Sequence, residues 1–302
     1  MGLLVGLLAL WLLSRRPAAP PEGGLAAPPE GGLAHGFIIH LDDRHDRDAN
    51  VAALVREAAE AGVRLSVFAA VDGRGCPHES VAPPFLDFTF PPGHLRDHLR
   101  GGERGCLASF LRTFAEAARV AHPVGCFFLE DDAIVDRHGF ARIVRALDQH
   151  RSDPIVFHGR RSVPGGWPDK HSLHASEAQN GRDSGWIETL APNYSNAMFA
   201  VTNEGVRELR IWLDAIVKQR LARMPADDLL SVACGAHPGP ARQPVAQHWS
   251  SAPAPRLRGW APVEDVSSRM PSSSDTEPRA PRTGALCKLP PDALELAFAG
   301  GG

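Results

Sequence analysis

The chain contains no CxxC pair: its five cysteines, Cys76, Cys106, Cys126, Cys234 and Cys287, are scattered. That excludes a zinc ribbon and a dense disulfide framework, and the odd count leaves at least one thiol free unless it bridges to another molecule. Positive charge is not in excess either, since 32 basic residues stand against 35 acidic ones for a formal net charge of -3. Nucleic acid and anionic membrane surfaces are therefore not expected as main partners. Fourteen histidines are present, but Cys76-Pro77-His78 and His94/His98 lie in Pro-rich or loop-like sequence without a matching ligand set. Gly101-Gly102 with Gly105 does not match a phosphate-binding loop, which argues against a kinase or ATPase.

A long apolar run is also missing. Leu3 to Leu13 falls short of the ~20 residues a spanning helix needs and stops at Ser14-Arg15-Arg16. Three readings of residues 1–16 stay open. As a signal-peptide h-region the length fits, but the basic n-region and a small-x-small cleavage site are missing. As a short signal anchor, its C-terminal side would be held in the cytosol by Arg15 and Arg16. The third reading is an apolar N-terminus with no targeting role. Membrane association is expected through this segment only. The expected location is the lumen or membrane of the endoplasmic reticulum or Golgi if the segment targets, and the cytoplasm otherwise.

What is present fits a soluble globular protein: 302 residues, 43% hydrophobic, with a mean hydropathy of -0.18, enough for one sizeable core. Residues 17–35 hold a tandem repeat, Ala19-Pro-Pro-Glu-Gly-Gly-Leu-Ala26 and then Ala27-Pro-Pro-Glu-Gly-Gly-Leu-Ala34. Its Pro and Gly content cannot bury enough surface to fold, so it reads as a linker or disordered stem. The globular domain is expected over 36–250. From 251 to 302 the chain turns Pro- and Ser-rich and reads as a mostly disordered tail, with a short docked segment at 293–296.

Gly36–Leu41 predicts a first strand. Val51, Leu54, Val55 and Ala58 mark one face of a helix that Gly62 stops, and Val63–Phe68 alternates as a second strand. Strand, helix, strand at this spacing opens a parallel α/β sheet. The Pro-rich stretch 83–92 reads as a crossing loop, followed by a helix over 103–121, a strand over 125–129, a helix over 139–149 and a strand over 154–158. Residues 159–192 read as a long loop of the kind that often binds ligands. A strand at Ala197–Val201 precedes a helix capped by Thr202, with Val206, Leu209, Leu213, Ile216 and Val217 on its apolar face. A short helix follows at Ala226–Val232.

The most informative feature is Glu130-Asp131-Asp132, directly after the apolar run Cys126–Leu129. The acids sit where a strand ends, and the crevice beyond the carboxyl ends of strands is the usual ligand site in open α/β sheets. Clustered carboxylates there suit a hard divalent cation that also holds phosphate oxygens, so a metal-assisted reaction on a nucleotide diphosphate is expected. Because strand residues alternate between faces, Glu130 and Asp132 share one side and Asp131 points away. Asp132 is the expected direct metal ligand, Asp131 a second one if the chain turns there, and Glu130 an orienting or coordinating group. The competing reading is a solvated acidic strand end or a helix N-terminal cluster ahead of Gly139.

Four blocks in order resemble glycosyltransferase family 25: Gly36–Leu41 with Asp42-Asp43-Arg44-His45-Asp46-Arg47, then Ala69-Ala-Val-Asp-Gly73, then Gly102–Ser109, then Phe127–Asp132. Weaker echoes at Asn196–Val201, Pro225–Asp228 and Pro244–Gln247 extend the likeness over about 36–250. That family includes bacterial lipooligosaccharide galactosyltransferases and collagen hydroxylysine galactosyltransferases. The resemblance implies an α/β fold of the GT-A type, a nucleotide-sugar-binding domain with a mostly parallel mixed sheet. It also implies an inverting hexosyltransferase that uses Mn²⁺ (or Mg²⁺) and a UDP-sugar donor, UDP-galactose above all. The acceptor would be a hydroxyl of a glycan or of a hydroxylysine-bearing protein. Apolar segment, stem and globular domain match the layout of many secretory-pathway transferases. The chain departs from the family where Phe110 follows Ser109 in place of the usual His, and where Phe127 and Phe128 replace tyrosines.

Under this reading Arg44 and Arg47 fork onto phosphate or ribose oxygens; ringed by Asp42, Asp43, Asp46 and Asp48, they fit an ion-paired helix start equally well. Asp72 would contact uridine or ribose, although Asp-Gly is also a common turn. Glu103 and Ser109 would hold a hydroxylated sugar at a helix start, with Cys106 a packing residue between them. Asp227 and Asp228 are the candidate base that takes the acceptor proton, or else helix N-terminal acids. Asn193-Tyr194-Ser195 is a sequon with meaning only in a secretory lumen. Two rival readings are a non-catalytic relative used for binding or adhesion, and a metal-dependent phosphohydrolase or nucleotidyltransferase.

Overall fold

Gly36-Phe37-Ile38-Ile39 has the β-branched and aromatic side chains that pack on a pleated surface, and it lies in strand β1 (Ala34–His40). The structure, a computed structural model, describes residues 34–73, 101–120, 122–160, 185–189, 197–218, 226–234, 257–262 and 264–270, with the backbone alone at 101, 104, 187, 189, 213–218, 227–228 and 231–232. A 3-10 turn at His45–Arg47 leads into helix α1 (Asp48–Glu60), which buries Val51, Leu54 and Ala58 as its apolar stripe requires. The stop comes at Gly62, whose φ of 76° is a left-handed conformation that glycine adopts without strain. Strand β2 (Val63–Ala69) then returns parallel to β1, with Ala34 opposite Val63 and His40 opposite Ala69.

Helix α2 (Gly101–Ala117) precedes β3 (Gly125–Glu130), the short β4 (Ala133–Ile134), α3 (Arg137–Gln149) and β5 (Ile155–His158). After them come β6 (Trp186–Thr189), β7 (Met198–Thr202), α4 (Asn203–Lys218), α5 (Ala226–Ala233), β8 (Arg258–Pro262) and β9 (Ser268–Arg269). The seven-stranded sheet has the order β2-β1-β3-β7-β5-β8-β6, and β4 pairs with β9 apart from it. β1 runs parallel to β2 and β3, and β5 parallel to β8; β7 lies antiparallel between β3 and β5, and β6 antiparallel at the edge beside β8. This is an α/β fold with a mostly parallel mixed sheet, compatible with a Rossmann-like arrangement.

Each face of the sheet carries its own core. Val51 and Leu54 of α1 join Phe140, Ile143 and Leu147 of α3 over Ile38, Phe127 and Leu129. On the other face, α2, α4 and α5 cover Phe37, Ile39, Cys126 and Phe128. Aromatic packing dominates there: Phe128 stacks on Phe199 at 5.1 Å and meets Phe114 edge-on at 4.9 Å, while Phe110 stacks on Phe199 at 5.6 Å. Such pairs each add about 0.5–1.5 kcal/mol beyond the area they bury. Thr202 caps α4 as expected, its Oγ1 accepting from Gly205 N at 3.1 Å, and Val206 and Leu209 are buried on the expected face together with Trp212, while the side chains of Leu213, Ile216 and Val217 lie outside the described residues.

Two expectations are corrected. The stretch from 251 onward is not a disordered tail over its first part, because 258–262 forms β8 inside the sheet, with β5 on one side and β6 on the other. A five-residue strand, Arg258-Gly-Trp-Ala-Pro262, paired on both edges needs no long periodic run to be held, which is why composition misread it. The loop expected over 159–192 likewise contains β6. The readings of residues 1–33, of 83–92, of the sequon at 193–195, of 244–247 and of 293–296 lie outside the described residues. Among the described residues no helix is long and apolar enough to cross a membrane.

Candidate functional site

The chain leaves β1 for β2 on one side through α1, then crosses back past β1 through α2 to reach β3 on the other. With α1 and α2 on opposite faces, the carboxyl ends of β1 and β3 bound a topological switch point, where α/β sheets open a crevice for ligands. Glu130-Asp131-Asp132 closes β3 at that point and His40 closes β1.

β3 ends at Glu130 and the chain turns at Asp131-Asp132, so the turn rather than strand alternation sets where the acids point. Asp131 turns toward β1 and the helix start behind it. Its Oδ1 accepts from Nη1 of Arg47, and its Oδ2 lies 2.9 Å from His40 Nδ1 and 3.4 Å from the Leu41 amide. Asn50 fixes the turn by donating to the carbonyls of Asp131 and Ala133 at 2.9 and 2.7 Å. Asp131 and Arg47 are both 3% exposed, so this pair is sealed inside the protein. His40 reaches outward as well, its Nε2 3.2 Å from Asp48.

Glu130 and Asp132 share the other side, and both meet Arg269 of β9. Arg269 donates from Nε to Asp132 Oδ2 at 2.6 Å and from Nη2 to Glu130 Oε2. Met270 N donates to the Asp132 carbonyl at 2.8 Å, and the amides of Val266 and Ser267 share the Gly159 carbonyl at 2.9 Å each. Residues 264–270 therefore strap across the carboxyl ends of β5 and β3. Asp132 is as buried as Asp131, yet its Oδ1 has no hydrogen-bond partner.

The other expected site residues divide. Arg44 is buried and grips Asp46 through Nε and Nη2 at 2.8 Å each, which holds the Asp46 carboxyl down at about 2. That is the ion-paired helix start weighed above, one turn from the acids. Ser109 is internal: its Oγ donates to the Gly105 carbonyl at 2.7 Å and accepts from Val71 N at 2.8 Å. Gly105 approaches the same segment so closely that a Cβ there would stand 2.3 Å from the Val71 carbonyl. Ser109 thus clips α2 to the end of β2 rather than facing a sugar. Asp72 and Glu103 are half-buried on either side of that clip. Cys106 lies between, its Sγ 3.9 Å from Glu130 Oε1. Asp227 and Asp228 occupy the first turn of α5, and their side chains lie outside the described residues. Phe110 points into the aromatic core, so its difference from histidine is a matter of packing here.

His40, Asn50 and Arg269 belong to the site but were not singled out in the sequence. His40 ends the first strand, and that place was a usable signal. Arg269 sits among Pro and Ser residues, with nothing nearby to mark it.

Among the described residues no group of three or more His, Cys, Asp or Glu is arranged to hold a metal ion. A hard cation does not require such a group when one or two carboxylates and substrate phosphates share the coordination. The open Oδ1 of Asp132, with Glu130 beside it, fits that smaller set. Asp131, with both oxygens held by internal partners, fits it less well than the sequence suggested.

Fold and site define an α/β protein with a charged cluster at the carboxyl ends of β1 and β3, where the strand order reverses. The chain matches no family model and no curated protein.

Proposed function

We propose that the protein is a metal-dependent, inverting glycosyltransferase of the GT-A type, moving a hexose from a UDP-sugar, UDP-galactose above all, to a hydroxyl of a glycan or a hydroxylysine-bearing protein. The carrying observation is the open Oδ1 of Asp132, buried at the carboxyl end of β3 beside Glu130. A desolvated carboxylate oxygen with no partner costs about 1–3 kcal/mol, which is best explained by a ligand that answers it. The family resemblance over 36–250 supplies the substrate class.

Asp132 and Glu130 would hold a Mn²⁺ or Mg²⁺ ion, which when bound supplies charge neutralisation for the departing diphosphate. Arg47, His40 and Asn50 hold Asp131 and the turn in place, so the neighbouring acid is presented in one geometry. The Ser109 clip fixes the segment Val71–Gly73, where Asp72 would meet the nucleoside. Asp227 or Asp228, at the start of α5, would take the proton of the acceptor hydroxyl as its oxygen attacks the anomeric carbon.

The test is UDP release by the full chain from a panel of UDP-sugars, with and without Mn²⁺, beside Asp132→Asn. Metal-dependent release from one donor, lost in Asp132→Asn, is the expected result. A second reading, a non-catalytic binding or adhesion protein, is favoured by Arg269, which already neutralises Glu130 and Asp132 as a metal-free domain would require. Absence of both UDP release and Mn²⁺-dependent UDP binding would select it.

A further inference from the structure

We propose that Arg269 is a built-in counter-cation that a divalent ion must displace from Glu130 and Asp132, and that the displaced guanidinium then takes the anionic diphosphate arriving with that ion. This rests on the metal and nucleotide reading above and adds to it how the site is regulated: it stays closed to either ligand alone and opens to the pair.

The contrast between the two arginines carries the inference. Arg47 and Asp131 are almost fully enclosed, with side chains 3% and 4% exposed, and a buried pair of this kind does not exchange. Arg269 and Glu130 keep 35% and 21% of their side chains in solvent, whereas Asp132, the other acid that Arg269 holds, is 4% exposed and has Arg47 Nη2 at 3.7 Å. The solvent-facing guanidinium of Arg269 is therefore the partner that another cation can replace, and Arg47 stays behind Asp132 when Arg269 leaves. The strap that brings Arg269 is anchored by its backbone, through the pairing of Ala133 with Arg269 and Ile134 with Ser268, the shared Gly159 carbonyl, Met270 N on the Asp132 carbonyl and Arg142 on the Glu264 carbonyl, so the guanidinium can move while the strap stays. Moving the Arg269 side chain breaks no sheet pairing, because its contacts to the acids come from the guanidinium alone.

Charge decides the direction of exchange. A guanidinium brings one positive charge to two carboxylates, whereas a divalent ion brings two and adds a ligand position that the open Oδ1 of Asp132 can fill. A guanidinium released beside that ion meets a diphosphate whose geometry suits its planar fork. Cation and nucleotide would then bind cooperatively, each removing a cost the other otherwise carries.

The experiment measures Mn²⁺ binding to the full chain without nucleotide, by the paramagnetic resonance signal of the free ion, for wild type, Arg269→Met, Arg269→Gln and Arg269→Lys. The Met and Gln variants are expected to bind Mn²⁺ about tenfold more tightly than wild type, with Lys between, since removal of an internal competitor raises affinity by mass action. With Mn²⁺ saturating, both neutral variants should bind UDP about tenfold less tightly. Gln keeps hydrogen bonding without charge and guards against a folding defect peculiar to Met. Equal Mn²⁺ affinity across the four proteins, or no Mn²⁺ binding by any, overturns the proposal. Tighter Mn²⁺ binding in a protein that turns over no UDP-sugar would keep the exchange and reject the transferase. Turnover by wild type with unchanged Mn²⁺ affinity in the variants would do the reverse.

Discussion

Asp131 and Asp132 are neighbours in the chain and equally buried, at 3% exposure each, yet they have opposite environments. Asp131 has every oxygen answered by Arg47, His40 and the Leu41 amide, while Asp132 has one oxygen on the part-exposed Arg269 and 3.7 Å from Arg47, and no hydrogen-bond partner for the other. The turn is the cause: β3 ends at Glu130, and the two aspartates lie in the turn that follows, where Asp131 is drawn to the start of α1 and Asp132 to the strap. Burial alone therefore says little about role. A buried carboxylate that is fully satisfied is part of the frame, and one that is not is available to a ligand.

The largest expected effect comes from breaking the sealed side. Asp131→Ala leaves the buried Arg47 with the more distant Asp132 Oδ2, 3.7 Å from its Nη2, and should cost on the order of 3 kcal/mol in denaturant unfolding. Adding Arg47→Met removes the stranded charge and should recover part of that loss. A double variant no more stable than the single one would mean that Asp131 acts through His40 and the turn rather than through Arg47.

The half of the sheet that holds Asp131 was legible in the sequence, and the half that strapped Asp132 was not. β1, α1, β2, α2 and β3 follow one another with intact periodicity, a glycine stop at Gly62 and an acid block at a strand end, so local pattern and global fold agree. On the other half β8 pairs with β5 across a gap of about a hundred positions in the chain, Ile155 meeting Arg258. A five-residue strand such as Arg-Gly-Trp-Ala-Pro has no period to detect, and its identity as a strand comes from its partners. Arg269 was invisible for the same reason. Its role depends on two residues pairing with β4, a contact no local window contains. Conversely Ser109 was noticed for the wrong role, because a serine at a helix start reads the same whether its hydroxyl faces a ligand or clips two backbones.

A smaller effect concerns acid, and it separates a buried imidazole from the carboxylates. His158 ends β5 in full burial, which pushes its pKa down to about 4 from an ordinary 6.5. The unfolded chain binds that proton more readily, so stability is complete above pH 6.5, falls as pH drops toward 4, and loses nothing further from this group below it. At pH 5 the loss should reach about 2 kcal/mol. Comparing unfolding of wild type and His158→Gln between pH 7 and 5 isolates it: the variant should show a shallower decline. Parallel curves would move the acid sensitivity to other groups, His122 among them, whose pKa burial also lowers.

The smallest stability effect is expected on the open side, and there it matters that the effect is small. Asp132→Asn removes the charge that Arg269 neutralises, but the arginine, with 35% of its side chain exposed, can turn to solvent or stay on Glu130. It also exchanges the unpartnered buried carboxylate oxygen for part of an uncharged amide, which costs less to hold away from water. The two changes oppose one another, so unfolding free energy should stay within about 1 kcal/mol of wild type. The same substitution is expected to abolish UDP release, and the two measurements together separate a residue that supports the fold from one that serves a ligand. A destabilisation as large as that of Asp131→Ala would erase the distinction, making Asp132 a second structural acid and Arg269 its permanent partner.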